Sequence, residues 1–155
     1  MIGCAYFADN LAMHSAKNSL NLIRAAFIFA IALYMFIGEK LATGQARPLN
    51  TMLFQILAVV AVVNVIFILI IRRSMVMPSL AALASNAGDG VALNRWRAGY
   101  VLTYALCEAL ALYGFVLRIL GVGFRSVVPF YLASVILMTY FGPRTAAADT
   151  AAAAS

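Results

Sequence analysis

Apolar residues in this chain gather in long unbroken runs, not in the every-third-or-fourth pattern of a helix with one wet face. The clearest run, Met52 to Ile71, has no internal charge and is stopped by Arg72 and Arg73. At ~1.5 Å per helical residue it matches a hydrocarbon core of ~30 Å. A first run, Leu20 to Leu41, has a strictly apolar centre from Ala25 to Gly38. Its length works as a span if Arg24 snorkels toward one headgroup layer, with Glu39 and Lys40 at the other. A third, Ala98 to Leu120, carries Glu108 near its middle. The fourth, Val127 to Phe141, is short; it places Pro129 in its first turn, where proline costs little, and stops at Pro143-Arg144.

The pattern thus predicts an all-α fold, an integral membrane bundle of four transmembrane helices in a single membrane domain. Between the second and third spans, Pro78 followed by Ser79-Leu-Ala-Ala-Leu-Ala predicts a short helix over 78–86 lying on the membrane surface. Asn86-Ala-Gly-Asp-Gly90 reads as its stop and a turn. Trp96 and Tyr100 fall where an interfacial aromatic belt belongs. Residues 1–18 read either as a helix leading into the first span or as disordered chain, and 144–155 as a frayed Ala/Thr-rich tail.

Composition strengthens this reading. Hydrophobic residues make up 65% of the chain and charged ones 10%, against roughly 25% charged in globular proteins. A soluble domain of 155 residues cannot hide that much apolar surface in one core. The net charge of +6 does not point to nucleic acid, because the cations sit at the edges of apolar runs and form no basic tract. With an even number of spans, one side holds Lys17, Arg24, Arg72, Arg73, Arg95, Arg97 and Arg144, and the other only Lys40, Arg47, Arg118 and Arg125. That imbalance puts both termini in the cytoplasm, with a bacterial inner membrane as the expected location. Arg72, Arg73, Arg95, Arg97 and Arg118, with Trp96, are the expected headgroup contacts. Cys4 and Cys107 form no framework, and Cys107 reads as a small buried hydrophobe. The Ile-Gly-Cys start lacks the charged and apolar regions of a lipoprotein signal.

The chain also contains an internal likeness. Ala30-Ile-Ala-Leu-Tyr-Met-Phe-Ile-Gly-Glu-Lys-Leu41 aligns with Ala109-Leu-Ala-Leu-Tyr-Gly-Phe-Val-Leu-Arg-Ile-Leu120, and the same offset sets Gly44 on Gly123. Two duplicated helical hairpins account for it. Coincidence among the few residue types of apolar helices accounts for it equally.

Glu108 is the residue in the spans that points most strongly to chemistry. A carboxylate at bilayer depth costs about 2.5–3.5 kcal/mol on insertion scales, so it is expected to face protein or water. It serves either as a proton- or ion-carrying group or as a protonated link between helices. Asn64, the strongly polar residue deep in the second span, is the expected hydrogen-bond partner, with Tyr104 and Tyr113 as others. Ala105, Ala109 and Gly114 offer a small-residue face for close helix packing. Arg118 lies ~15 Å further along the helix than Glu108 and is expected to snorkel or meet a lipid phosphate rather than to pair with it.

Ala105-Leu-Cys-Glu-Ala-Leu-Ala-Leu-Tyr-Gly-Phe-Val-Leu117 resembles the ion-binding helix of the c subunit of F-type ATP synthases, the rotor proteolipid. The resemblance implies that Glu108 takes the place of the ion-carrying carboxylate. It does not extend to that family's Gly-rich first helix, and Arg118 stands where the family is apolar. As a whole the chain looks more like a bacterial four-helix membrane protein sharing this motif than like a rotor subunit.

No metal or cofactor is expected. His14 lies before the first span and has no histidine partner for haem. No HExxH, phosphate loop or Ser/His/Asp set occurs. The expected function is therefore a small non-enzymatic subunit that packs in the bilayer against other membrane subunits or further copies of itself, within a larger complex and by analogy a bioenergetic one. The alternative is a proton- or ion-translocating proteolipid or small transporter using Glu108.

Overall fold

The computed structural model describes residues 2–42, 51–86 and 88–143, with side chains from residue 15 onward. Every element in it is helical: α1 (Ile2–Leu41), α2 (Thr51–Ile71), a π-helical stretch (Arg72–Val76), α3 (Met77–Ser85), α4 (Gly90–Ile119) and α5 (Phe124–Tyr140). Three stretches are long and apolar enough to cross a membrane: Ser15–Leu41, Thr51–Ser85 and Gly90–Ile119. In hydrocarbon every backbone N–H and C=O must be bonded within the chain, which is why such runs coil into helices. α5, with 17 residues, is shorter, about 26 Å. The described part of the N-terminal segment is helix continuous with the first span; the loop 43–50 with Gly44, and the tail from residue 144, lie outside the described residues.

The segment after Ile71 departs from expectation. It is not a separate helix. α2, the π stretch and α3 form one 35-residue helix from Thr51 to Ser85. Pro78 explains the π stretch, since it has no N–H to give the carbonyl one turn earlier and its ring crowds that carbonyl. The backbone loosens before it, and Met77 N–H bonds back to Arg72 O. The Ser74 carbonyl that Pro78 would serve in a regular helix accepts instead from Arg95 Nη2 at 3.1 Å. Ser79 Oγ donates to Met75 O at 2.7 Å. α3 thereby continues the helix from α2 and packs against α4.

Asn86 and Asp89 make the turn that the sequence suggests. Asn86 Oδ1 accepts from Gly88 N, and Asp89 Oδ1 accepts from Val91 N and Ala92 N at 3.0 and 3.1 Å, capping α4. α4 thus begins eight residues earlier than the apolar run. Its far end closes on Gly121 at φ 90°, with Val122 N bonding Leu117 O and Gly121 N bonding Arg118 O, a Schellman turn open chiefly to glycine. α5 then starts at Phe124, so Pro129 lies inside the helix and not in its first turn.

α4 is the centre. α1, α2, the π stretch, α3 and α5 all pack on it. α1 runs parallel to α4, since Tyr34 meets Glu108 and Glu39 meets Arg118, while α2 and α5 run antiparallel to it. α4 and α5 approach most closely at Gly114, where an added Cβ would lie 3.0 Å from Phe130 Cβ and 3.4 Å from Val127 O. By contrast α1 and α2 make no close approach to each other among the described residues. The internal likeness therefore does not extend to packing: the second hairpin closes tightly and the first is splayed.

Replacing Gly114 with Val forces α4 and α5 apart and is expected to cost roughly 1–3 kcal/mol, read as a fall in thermal midpoint in detergent. Gly90→Ala, at a position with nothing within 4 Å of the new Cβ, is expected to leave the midpoint unchanged or raise it.

Candidate functional site

Glu108 sits half-buried on the face of α4 turned to α1. Tyr34 reaches across from α1 and its hydroxyl donates to Glu108 Oε1 at 2.7 Å. The second carboxyl oxygen has no partner among the described residues. Tyr34 also leans on Phe115, ring centroids 5.6 Å apart, so its hydroxyl is held in position by packing. One and a half turns on, Glu39 and Arg118 form a two-pronged pair, Nε to Oε1 at 2.7 Å and Nη2 to Oε2 at 2.9 Å. Arg118 Nη1 also donates to Val122 O at the Schellman turn. Gly38 lets α1 come in against Phe115 and Arg118, an added Cβ standing 3.4 and 3.3 Å from them. α1 is thus tied to α4 by two polar links and a glycine contact.

Asn64 is buried but belongs to the other side of α4. Its Nδ2 donates to Leu106 O at 3.2 Å and, more weakly, to Tyr113 Oη at 3.5 Å, while its Oδ1 finds no donor. The expected Glu108–Asn64 bond does not form. Tyr113 is five residues from Glu108, a rotation of roughly 140°, so α4 itself stands between the two. Tyr104 is fully buried and its hydroxyl finds no partner among the described residues. It does not reach the carboxyl.

The small-residue face divides in two. Gly114 packs against α5 as expected, whereas Ala105 is exposed and Ala109 half-buried. With Val101, Leu112 and Val116, all exposed, Ala105 lines a stripe of α4 that neither α1 nor α2 covers. Glu108 stands at the edge of this stripe.

The expected headgroup residues separate as well. Arg73 is exposed and Arg97 half-buried. Arg95 serves the Ser74 carbonyl, and Arg118 pairs with Glu39 instead of snorkelling free. Trp96 and Tyr100 are not a lipid-facing belt; at 1% and 0% exposure they are core, stacked edge to face with centroids 5.1 Å apart. Their side of α4 faces the neighbouring helices. Arg72 turns inward too, its guanidinium 4.3 Å from the Phe141 ring centre and 5.4 Å from that of Tyr100. Cys107 is buried among apolar groups, and Ser134 of α5 donates to its carbonyl.

Sequence reading missed Tyr34 and Glu39 as partners. The internal likeness held the signal for one of them, because its alignment sets Glu39 level with Arg118, and on parallel helices level positions can meet. Between α2 and α5 lies an apolar groove of about 240 Å³, with Ala58 and Ala61 on one wall, Phe130 and Ala133 on the other and Leu110 beneath. Its lining suits hydrocarbon and offers no group to orient a polar substrate. No protein-family model, curated protein or solved structure matches the chain.

Tyr34→Phe, which removes only the donor to Glu108, is expected to lower stability by about 0.6 kcal/mol and at most about 1.7 kcal/mol, the range for hydrogen bonds between membrane helices. Glu39→Gln is expected to cost less, since that carboxylate is 43% exposed and screened by solvent. Thermal unfolding in one detergent compares the two; equal losses would show that the Tyr34–Glu108 bond carries no special weight.

Proposed function

We propose that the chain is a small non-catalytic subunit that packs within a larger membrane complex, presenting the uncovered stripe of α4 to a transmembrane helix of a partner protein. The observation that carries this reading is the splayed first hairpin. α1 and α2 stand apart on either side of Val101, Ala105, Leu112 and Val116, and a half-buried carboxyl with one free oxygen lies at the stripe's edge. A small residue at its centre permits close helix approach, and Glu108 Oε2 can accept a hydrogen bond from the incoming helix. In this reading α1, α2, α4 and α5 all cross the bilayer. The ends bearing Arg24, Arg72 and Phe141 face the cytoplasm, consistent with the excess of basic residues there in a bacterial inner membrane. The likeness of Ala105–Leu117 to the rotor proteolipid makes an energy-transducing complex the host of first choice.

A second reading draws on Glu108 itself. A carboxyl at membrane depth, half-exposed and bonded by a tyrosine hydroxyl, is a group able to load and release a proton, as the proteolipid resemblance implies for a small ion-translocating protein.

Gentle extraction from the native membrane tests the first reading. Co-purification with larger chains in fixed stoichiometry is expected, lost in Ala105→Phe, which fills the stripe, and retained in Val59→Phe on the outward face of α2. Purification as an isolated chain, with vesicles that pass protons until Glu108→Gln stops them, would sink the subunit reading in favour of the second.

A further inference from the structure

The two ends of the helix cluster treat their charges differently. At one end Arg118 has Glu39. At the other, two arginines come together without a carboxylate. Arg24 of α1 lies against the end of α5, its Nη1 2.8 Å from where a Cβ on Gly142 would stand. Arg72 stacks on Phe141, the residue before, and on Tyr100. Glu39, Asp89 and Glu108, the carboxylates with described side chains, bond elsewhere, to Arg118, to the α4 cap and to Tyr34. Arg72 Nη1 is buried and has no acceptor among the described residues. Tyr104 Oη is buried without a partner as well; its ring centre lies 6.1 Å from that of Tyr100, on which Arg72 stacks. Trp96 Nε1, two turns back on the same face of α4, is a third buried polar atom without a partner.

Such a group is costly as it stands. A buried donor left unbonded costs about 1–3 kcal/mol, more when charged, and two neighbouring cations repel. All three orphaned groups can donate, and arginine's planar fork matches the oxygens of a phosphate.

We propose that Arg24, Arg72 and Tyr104 form a binding site for a phosphate-class anion, with Phe141 and Tyr100 as its walls. The two guanidinium groups hold the charge and the Tyr104 hydroxyl donates a third hydrogen bond. The anion links α1, the end of α2 and the end of α5. Its source is either the headgroup of an anionic phospholipid or a phosphate-bearing solute, and one experiment separates them.

The full chain, stripped of lipid in detergent, is titrated with phosphatidylglycerol in mixed micelles and separately with inorganic phosphate, against phosphatidylcholine as reference, and its thermal midpoint is followed. A saturable rise above the reference is expected. Phosphatidylglycerol alone producing it assigns the site to a lipid headgroup; inorganic phosphate producing it assigns the site to a soluble phosphate. Arg72→Gln and Arg24→Gln are expected to weaken half-saturation by about tenfold, and exposed Arg73→Gln to leave it unchanged. Because Arg72→Gln also removes the stack on Phe141, Tyr104→Phe is the second variant; it deletes one oxygen and must also weaken binding. No saturable rise with either titrant, or a loss as large in Arg73→Gln as in Arg72→Gln, overturns the proposal.

Discussion

In hydrocarbon a polar group has no water to turn to, so each one in a membrane-spanning helix must find its partner in the protein or stay at an edge. α4 answers that constraint for its neighbours. Tyr34 on α1 bonds Glu108, Asn64 on α2 bonds the Leu106 carbonyl, and Ser134 on α5 bonds the Cys107 carbonyl. Each of these links runs to α4 from a different direction, and two of the three end on backbone carbonyls that already belong to its ladder. The packing follows from the same centre. Gly38 admits α4 side chains, and Gly114 admits α5. Helices tied in this way need not touch each other, which is how α1 and α2 come to stand apart on either side of one helix.

Burial divides accordingly. A helix with its own neighbours on most sides is core, and α4 holds Trp96, Tyr100, Tyr104, Cys107 and Leu117 at or near zero exposure. α2, the more apolar helix, exposes Val59, Val62, Ile66 and Ile70. An apolar run does not by itself say what covers it, because lipid and protein interior are similarly apolar and the same side chains suit both. What marks α4 is the interruption of its apolar run by residues that need partners or close neighbours: Glu108, Gly114, and the aromatic series at every fourth position from Trp96.

That difference explains what could be read in advance. Helix identity and approximate span came from run length, because the bilayer imposes a length on any segment that crosses it. The Asn86–Gly90 turn was legible from local chemistry alone, since Asp89 caps whatever helix follows it. Partners were not legible in the same way. Asn64 and Glu108 are both deep in their spans, and depth alone pairs them; only the rotation of α4 about its axis puts Tyr34 beside one and Leu106 beside the other. Trp96 at a span's edge has the composition of an interfacial belt, yet the helix continues through α3, which packs on α4, and the residue is enclosed. The cause is Pro78, which loosens the backbone without breaking the helix, and no count of hydrophobic positions distinguishes a π stretch from a stop.

The same continuation sets the character of the two ends. Had the chain broken at Arg72, that guanidinium would swing free into water beside Arg73. With the helix carried through to Ser85, Arg72 is fixed at the point where α2 passes Tyr100 and the end of α5, and its stack on Phe141 holds it inward. Arg24 reaches that place from α1 because α1 runs parallel to α4 and its basic residue falls level with the close of α5. At the opposite end the parallel arrangement brings Glu39 within reach of Arg118, and the two side chains pair. Parallel packing thus pairs Arg118 at one end and, at the other, brings Arg24 to the place where Arg72 stacks, with no carboxylate bonded to either among the described residues. A phosphate-class anion would supply the acceptors that this end lacks among the described residues.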